Sequence, residues 1–155
     1  MSCQNTQAKA ALETSYSKGP TDTILCDQTI GQYFDHIVAK YPNQPALISS
    51  HQGIRWTYAE FQAQANRLAT GLLALGIKPG DRVGIWSPNC AEWYLTQITT
   101  AKIGAIMVCV NPAYQTYELD YALNKVECKV LVTADRFKKS DYLYMLNQLA
   151  PELAG

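Results

Sequence analysis

Three short polar segments hold the side chains with most capacity for chemistry: Ser87-Pro88-Asn89, Asn111-Pro112-Ala113 and Ala134-Asp135. Each comes after an apolar run, so each falls where a strand would stop. Hydroxyl, carboxamide and carboxylate groups gathered at strand ends could hydrogen-bond a polar substrate, which makes Ser87, Asn89, Asn111 and Asp135 the candidate substrate-binding residues. A structural reading stands beside this one. Proline cannot continue a ladder, and an asparagine side chain can satisfy local backbone donors, so Asn111-Pro112 can be a strand stop with no ligand at all.

None of these groups is arranged as a catalyst. Ser87 lacks the nucleophile-elbow context, and neither His36 nor His51 is near it in sequence. The pairs Glu92/Lys102 and Asp120/Glu127 do not resemble a carboxylate acid–base couple. With no nucleophile, base and orienting group assembled, no catalytic residue is assigned. Neither histidine stands at metal-ligand spacing from another histidine or a cysteine, so no metal site is assigned. A phosphate cradle would need G-x-G-x-x-G after a strand, or G-x-x-x-x-G-K-[ST]. After Trp86 the chain has Ser87-Pro88-Asn89 instead, and its proline removes a backbone donor. Arg136, Lys138 and Lys139 could attract an anionic phosphate, although three charges on a polar turn also suit a solvated surface.

The elements that must position these segments are legible from periodicity and caps. Thr29 can cap a helix with Ile30, Phe34, Ile37 and Tyr41 at helical spacing, ended before Pro42. Ala46–Ser49 and Ile54–Thr57 read as a hairpin across His51-Gln52-Gly53. Thr57 and Glu60 form a capping box for a helix with Phe61, Ala65, Leu68, Leu72 and Leu75 along one face, closed by Gly76. After the Lys78-Pro79-Gly80 turn, the chain alternates. Arg82–Trp86 is a strand, and Asn89 caps a helix running to Gly104, with Glu92 completing a second capping-box-like arrangement. Ala105–Val110 has the continuous apolar character of a strand covered on both faces. Thr116 caps a helix bearing Leu119, Ala122, Leu123 and Val126. Lys129–Thr133 is the third strand, and Ser140 or Asp141 opens a last helix toward Leu149. Strands separated by helices predict an α/β fold with helices on both faces of a mostly parallel sheet, beside a small N-terminal hairpin.

Composition bounds the function class. The 155 residues suit one domain, able to bury roughly two-thirds of the unfolded surface. Thirteen basic residues balance thirteen acidic ones, which gives no electrostatic reason to expect nucleic acid or an anionic membrane. No apolar run approaches the ~20 residues of a membrane span. Residues 1–15 are polar and alanine-rich, with one lysine and no arginine. They read as a disordered tail and not as a signal or transit peptide, so a cytoplasmic location is expected. Of the five cysteines, Cys3, Cys26, Cys90, Cys109 and Cys128, none forms a C-x-x-C pair, which suggests reduced, mostly buried thiols.

Three blocks carry a resemblance. Trp56-Thr-Tyr-Ala-Glu-Phe61, Gly76-Ile-Lys-Pro-Gly-Asp-Arg-Val83, and Ala101-Lys-Ile-Gly104 with Val110-Asn-Pro112 stand in order and spacing. Together they resemble the early part of the adenylate-forming enzymes, the acyl-CoA synthetase superfamily. Ser15-Tyr-Ser-Lys-Gly-Pro20 and Val110-Asn-Pro-Ala-Tyr-Gln115 are similar to its medium-chain branch, called acyl-CoA synthetase family member 2. The resemblance implies a parent enzyme that joins a fatty acid to AMP from ATP with magnesium, then passes the acyl group to the CoA thiol. In that family the phosphate loop ending in Pro-Lys-Gly, the metal glutamate, the ribose aspartate and a C-terminal lysine lie beyond the matched region.

The expectation is therefore that residues 16–155 are the N-terminal portion of the large AMP-binding domain, an incomplete, truncated or engineered piece that binds no cofactor and is inactive alone. Its partners would be the remainder of its own ligase, with fatty acid and CoA as the parent's substrates. A CoA phosphate is an anion that the Arg136 cluster could attract, beside its reading as solvated surface. Surface left bare by truncation should favour self-association. Two rivals remain open: a stand-alone interaction or regulatory module derived from such a ligase, and an independent small-molecule binder with its crevice at Ser87, Asn111 and Asp135.

Overall fold

The computed structural model describes residues 19, 20, 22 and 25–154. The expected tail, Cys3, and most of the Ser15–Pro20 segment lie outside them. The elements are α1 (Ile30–Lys40), β1 (Pro45–Ser49), β2 (Ile54–Thr57), α2 (Tyr58–Ala74), β3 (Arg82–Trp86), α3 (Ala91–Ile103), β4 (Ile106–Val110), α4 (Thr116–Lys125), β5 (Cys128–Thr133), β6 (Arg136–Phe137), β7 (Ser140–Asp141) and α5 (Tyr142–Leu149).

Three strands form a parallel sheet in the order β4-β3-β5. The crossovers therefore leave β3 in one direction and return across it in the other. Two crossovers of one hand that run in opposite directions must use opposite faces of the sheet. The core divides accordingly. On one face Val83, Val130 and Val132 pack with Leu68 and Leu72 of α2 and Ile103 of α3. On the other, Trp86, Val110 and Leu131 pack with Leu119 and Leu123 of α4 and with Tyr142 and Met145 of α5. Gly84 sits on this second face because there is no room for more. A Cβ there would stand 2.9 Å from Leu131 Cδ1 and 3.0 Å from Cys128 Sγ. The α/β class, the parallel sheet with helices on both faces, and the antiparallel β1–β2 hairpin agree with the sequence reading.

Local signals held where their partners are near in sequence. Thr29 and Thr57 both close capping boxes, with Gln32 and Glu60 respectively, and Gly76 has φ +85°. Four details differ. In α1 the buried edge is Gly31, Phe34 and Val38, while Ile30 and Tyr41 are exposed. A Cβ on Gly31 would meet the Lys102 backbone at 3.0 Å, so α1 lies directly on α3 and turns Ile30 outward. In α2, Ala69 is buried and Leu75 is 71% exposed, because the helix has run past the sheet by its last turn. Strand β4 is not covered on both faces, since Ile106 and Cys109 are exposed, and among the described residues it is an edge strand paired only with β3. The thiols are correspondingly less buried than composition suggested, with Cys26 and Cys109 exposed and Cys90 and Cys128 half-buried.

Candidate functional site

The carboxyl ends of β3, β4 and β5 lie side by side. The chain leaves β3 toward one face, and leaves β4 and β5 toward the other. Such reversals open a crevice beyond the strand ends. Here the Ser87-Pro88-Asn89 loop divides it in two. One depression, of about 360 Å³, is lined by Ser87, Asn89, Glu92, Thr133, Asp135, His51 and Gln52 among others. Its neighbour, of about 470 Å³, is lined by Ser87, Asn89, Trp93, Cys109, Asn111 and Pro112 among others. Ser87 and Asn89 thus belong to both, whereas Asp135 and Asn111 stand on opposite sides of the loop.

Each candidate side chain has a definite local occupation. Ser87 is buried; its hydroxyl donates to the Pro88 carbonyl at 2.9 Å and lies 3.2 Å from Cys90 Sγ. Asn111 Oδ1 accepts from the Ala113 N–H at 2.9 Å, and its carbonyl accepts from Trp86 Nε1 at 3.1 Å. That carbonyl is fixed because the Trp86 ring is stacked on Tyr142, with centroids 3.6 Å apart. The Tyr142 hydroxyl in turn donates to the Pro112 carbonyl, and burial pushes its phenol pKa up. Asp135 is exposed, with Arg136 Nε at 3.8 Å. Its carbonyl accepts from the Tyr142 N–H at 2.9 Å. Asn89 is exposed at the tip of the loop.

Asn89 does not cap α3. The N-cap position is Cys90, whose side chain makes no capping bond, and Glu92 closes no capping box. The cap comes from another element. Gln52 Oε1 accepts from the Ala91 N–H at 2.8 Å, and Gln52 Nε2 donates to Glu92 Oε2 at 2.8 Å. The Ser49 hydroxyl also donates to Gln52 Oε1, at 2.6 Å. Burial works to raise the Glu92 carboxyl, yet the Gln52 bond, bonds from its own backbone and Cys90, and the nearby His51 hold it below the usual carboxylate range. Glu92 is therefore an anion at neutral pH, beside the positive end of the α3 dipole. The Thr116 cap is likewise displaced by one residue: Gln115 is the N-cap, and its N–H donates to Glu118 Oε2 at 3.1 Å. Asp141, one of the two residues open for the last helix, caps it by accepting from the Tyr144 N–H at 2.9 Å.

Sequence reasoning missed His51, Gln52 and Thr133 as crevice residues, and it missed the β6–β7 hairpin that carries Arg136. Lys138 turns that hairpin with φ +53°, so Arg136, Lys138 and Lys139 do not share one face of a helix or strand. Thr133 Oγ1 lies 3.2 Å from the Trp86 carbonyl, to which it donates. A strand-end threonine facing its neighbour carried no local signal. Among the described residues no cluster of His, Cys, Asp and Glu could hold a metal ion. A third hollow, of about 490 Å³ and lined mainly by apolar residues such as Ile30, Phe34, Ile37 and Ile98, shares no residue with the crevice.

Comparison with known proteins decides the family. The model of the AMP-binding enzyme family matches residues 34–154. The chain belongs to the AMP-binding enzymes. Among its relatives is the rat protein named medium-chain acyl-CoA ligase ACSF2, mitochondrial, 44% identical over 139 residues. The match takes in 90% of this chain and 23% of the rat protein. The zebrafish protein of the same name is 46% identical over 142 residues, 92% of this chain and 23% of its own length. Among solved structures, the N-terminal domain of FACL13 from Mycobacterium tuberculosis superposes with a TM-score of 0.66 at 33% identity. That superposition covers 68% of this chain and 27% of that one. The AMP-binding chain thus spans about a quarter of the length of the curated relatives it matches. Their name includes "mitochondrial", which gives the cytoplasmic expectation no support; among the described residues no helix is long and apolar enough to cross a membrane.

Proposed function

We propose that this chain is the first α/β portion of the large domain of an ATP-dependent fatty acid–CoA ligase, and that it forms no acyl-adenylate alone. The observation that carries the reading is the family match combined with the loop after β3. The relatives are acyl-CoA ligases of about four times the span matched here. The loop at the head of the crevice is Ser87-Pro88-Asn89, with one backbone donor removed by proline and no run of glycines to approach a polyphosphate.

ATP, magnesium and CoA are the groups such a ligase implies, and the residues present do not fit a complete site for them. Glu92 and Asp135 are the carboxylates that line the crevice, but among the described residues they do not assemble with others into a metal-ligand cluster. Arg136, exposed at the start of β6, has the Asp135 carboxylate 3.8 Å from its Nε. The role we assign to this portion, residues 16–155, is scaffolding: the β4-β3-β5 sheet holds the strand ends in register, and Ser87, Asn89, Asn111 and Asp135 line the two halves of a crevice completed by the remainder of the ligase. The location proposed is cytoplasmic, to be tested by fractionation because the relatives are named mitochondrial.

Two measurements test the reading. Purified chain given ATP, magnesium, CoA and a panel of fatty acids should release no pyrophosphate above a matched blank; turnover would overturn the proposal. Peptide mapping of the native gene product should find peptides continuing past Gly155. A native product ending there would favour the interaction-module reading instead.

A further inference from the structure

We propose that the outer face of α4, with the open edge of β4 beside it, is a contact surface for a second copy of this chain. Such association is a property of the chain itself and does not depend on the ligase reading. Helix α4 buries Leu119 in the core and leaves Tyr117 82% and Tyr121 62% exposed. Tyr117, Glu118, Tyr121, Ala122 and Lys125 line a groove of about 270 Å³ together with Cys109 of β4. Because β4 pairs only with β3 among the described residues, its other edge offers backbone groups along the same groove.

The arrangement of charge selects the occupant. Glu118 stands near the start of α4 and Lys125 at its end, and the midpoint between them falls between Tyr121 and Ala122. A two-fold axis through that point makes an isologous contact, in which the same patch serves both copies. Glu118 then faces Lys125 of the second copy, Lys125 faces Glu118 of the second copy, and each Tyr121 ring faces the small Ala122 opposite. Nowhere do like charges meet. Lys125 makes no ion pair among the described residues, and Glu118 commits one carboxylate oxygen, Oε2, to its cap. An unrelated partner would need only a complementary surface. A patch complementary to its own two-fold image fits a copy of itself. Central aromatic side chains ringed by charge are the usual anchors of such contacts.

Sedimentation equilibrium of the 155-residue chain in reducing buffer, which keeps Cys109 out of any disulfide, should show a reversible monomer–dimer equilibrium. E118K and K125E should each weaken it by about tenfold, since each sets like charges opposite one another at both ends of the contact. An equimolar mixture of E118K and K125E should recover the dimer, because only the mixed pair restores opposite charges at both ends. E118Q, which retains a residue able to complete the cap, should weaken association by about threefold. Circular dichroism spectra matching the parent chain would confirm that these exposed substitutions leave the fold intact. A monomer at the highest attainable concentration would overturn the proposal. So would a dimer indifferent to both charge reversals, or a mixture no more associated than its components.

Discussion

The side-chain oxygen of Gln52 accepts the backbone N–H of Ala91 at 2.8 Å, 39 positions further along the chain. The turn of the N-terminal hairpin thereby caps a helix of the main sheet. The same carboxamide holds Glu92 at 2.8 Å, so both of its ends are committed, and the loop that divides the crevice is braced from outside.

Gln52→Ala should cost about 1–2 kcal/mol of stability, the usual loss for removing a helix cap. Gln52→Glu keeps an acceptor for Ala91 but places a second carboxylate against Glu92. Its deficit relative to the parent chain should therefore be larger at pH 7 than at pH 4. Urea titrations of both variants at the two pH values would check this.

Asp35 gives the acid limb of stability a defined origin. Burial raises its carboxyl, but hydrogen bonds from Lys102 and Gln62, with the Lys102 charge, leave it below the ordinary aspartate value. A folded-state pKa below the unfolded one means stabilisation that is present above the unfolded value, about 4, and lost as pH falls through the folded value. Asp35→Asn should remove that dependence: its stability should approach the parent's as pH drops from 5 toward 3. The effect should be modest, because the Asp35 side chain is 46% exposed and solvent screens the pair. Denaturation midpoints across this range are the measurement.

Gly84→Ala should be destabilising by about 1–3 kcal/mol, the cost of an added methyl in a packed core. Its Cβ would fall within 3.0 Å of both Leu131 Cδ1 and Cys128 Sγ. Thermal melts should show the loss, and a compensating Leu131→Val should recover part of it.

Tyr142→Phe should lose about 1 kcal/mol with the hydrogen bond to Pro112. Tyr142→Ala should lose about 3–5 kcal/mol, since it also empties the face of Trp86. The fluorescence of Trp86 should shift only in the alanine variant, which separates loss of the hydroxyl from loss of the stack.

Distance along the chain decides how much of this was legible in sequence. The Thr57–Glu60 capping box needs only residues three apart, and the β3, β4 and β5 runs declare themselves by their own apolar content. Gln52 is a polar residue in a turn, with nothing nearby to mark it as the cap of Ala91. Only the packing of the hairpin against α3 makes it one. The same reason hid the inward edge of α1. Its apolar spacing permitted Ile30, but contact of Gly31 with the Lys102 backbone chose the adjacent edge. For the site, the strand-end rule found Ser87, Asn89, Asn111 and Asp135 because they come directly after strands in sequence. It could not see that the Ser87-Pro88-Asn89 loop separates the last two, since that depends on the order β4-β3-β5.

That order also has a consequence for the ribosome. The middle strand is made first, and Thr133, which closes its second side, comes 47 residues after Trp86. At ordinary rates of synthesis this takes roughly 2–10 s. Throughout that interval β3 can be flanked by β4 alone, with its other backbone edge bare. The contact between β3 and β5 can therefore form only after the contact between β3 and β4 has become possible, and synthesis sets the earliest moment at which it appears.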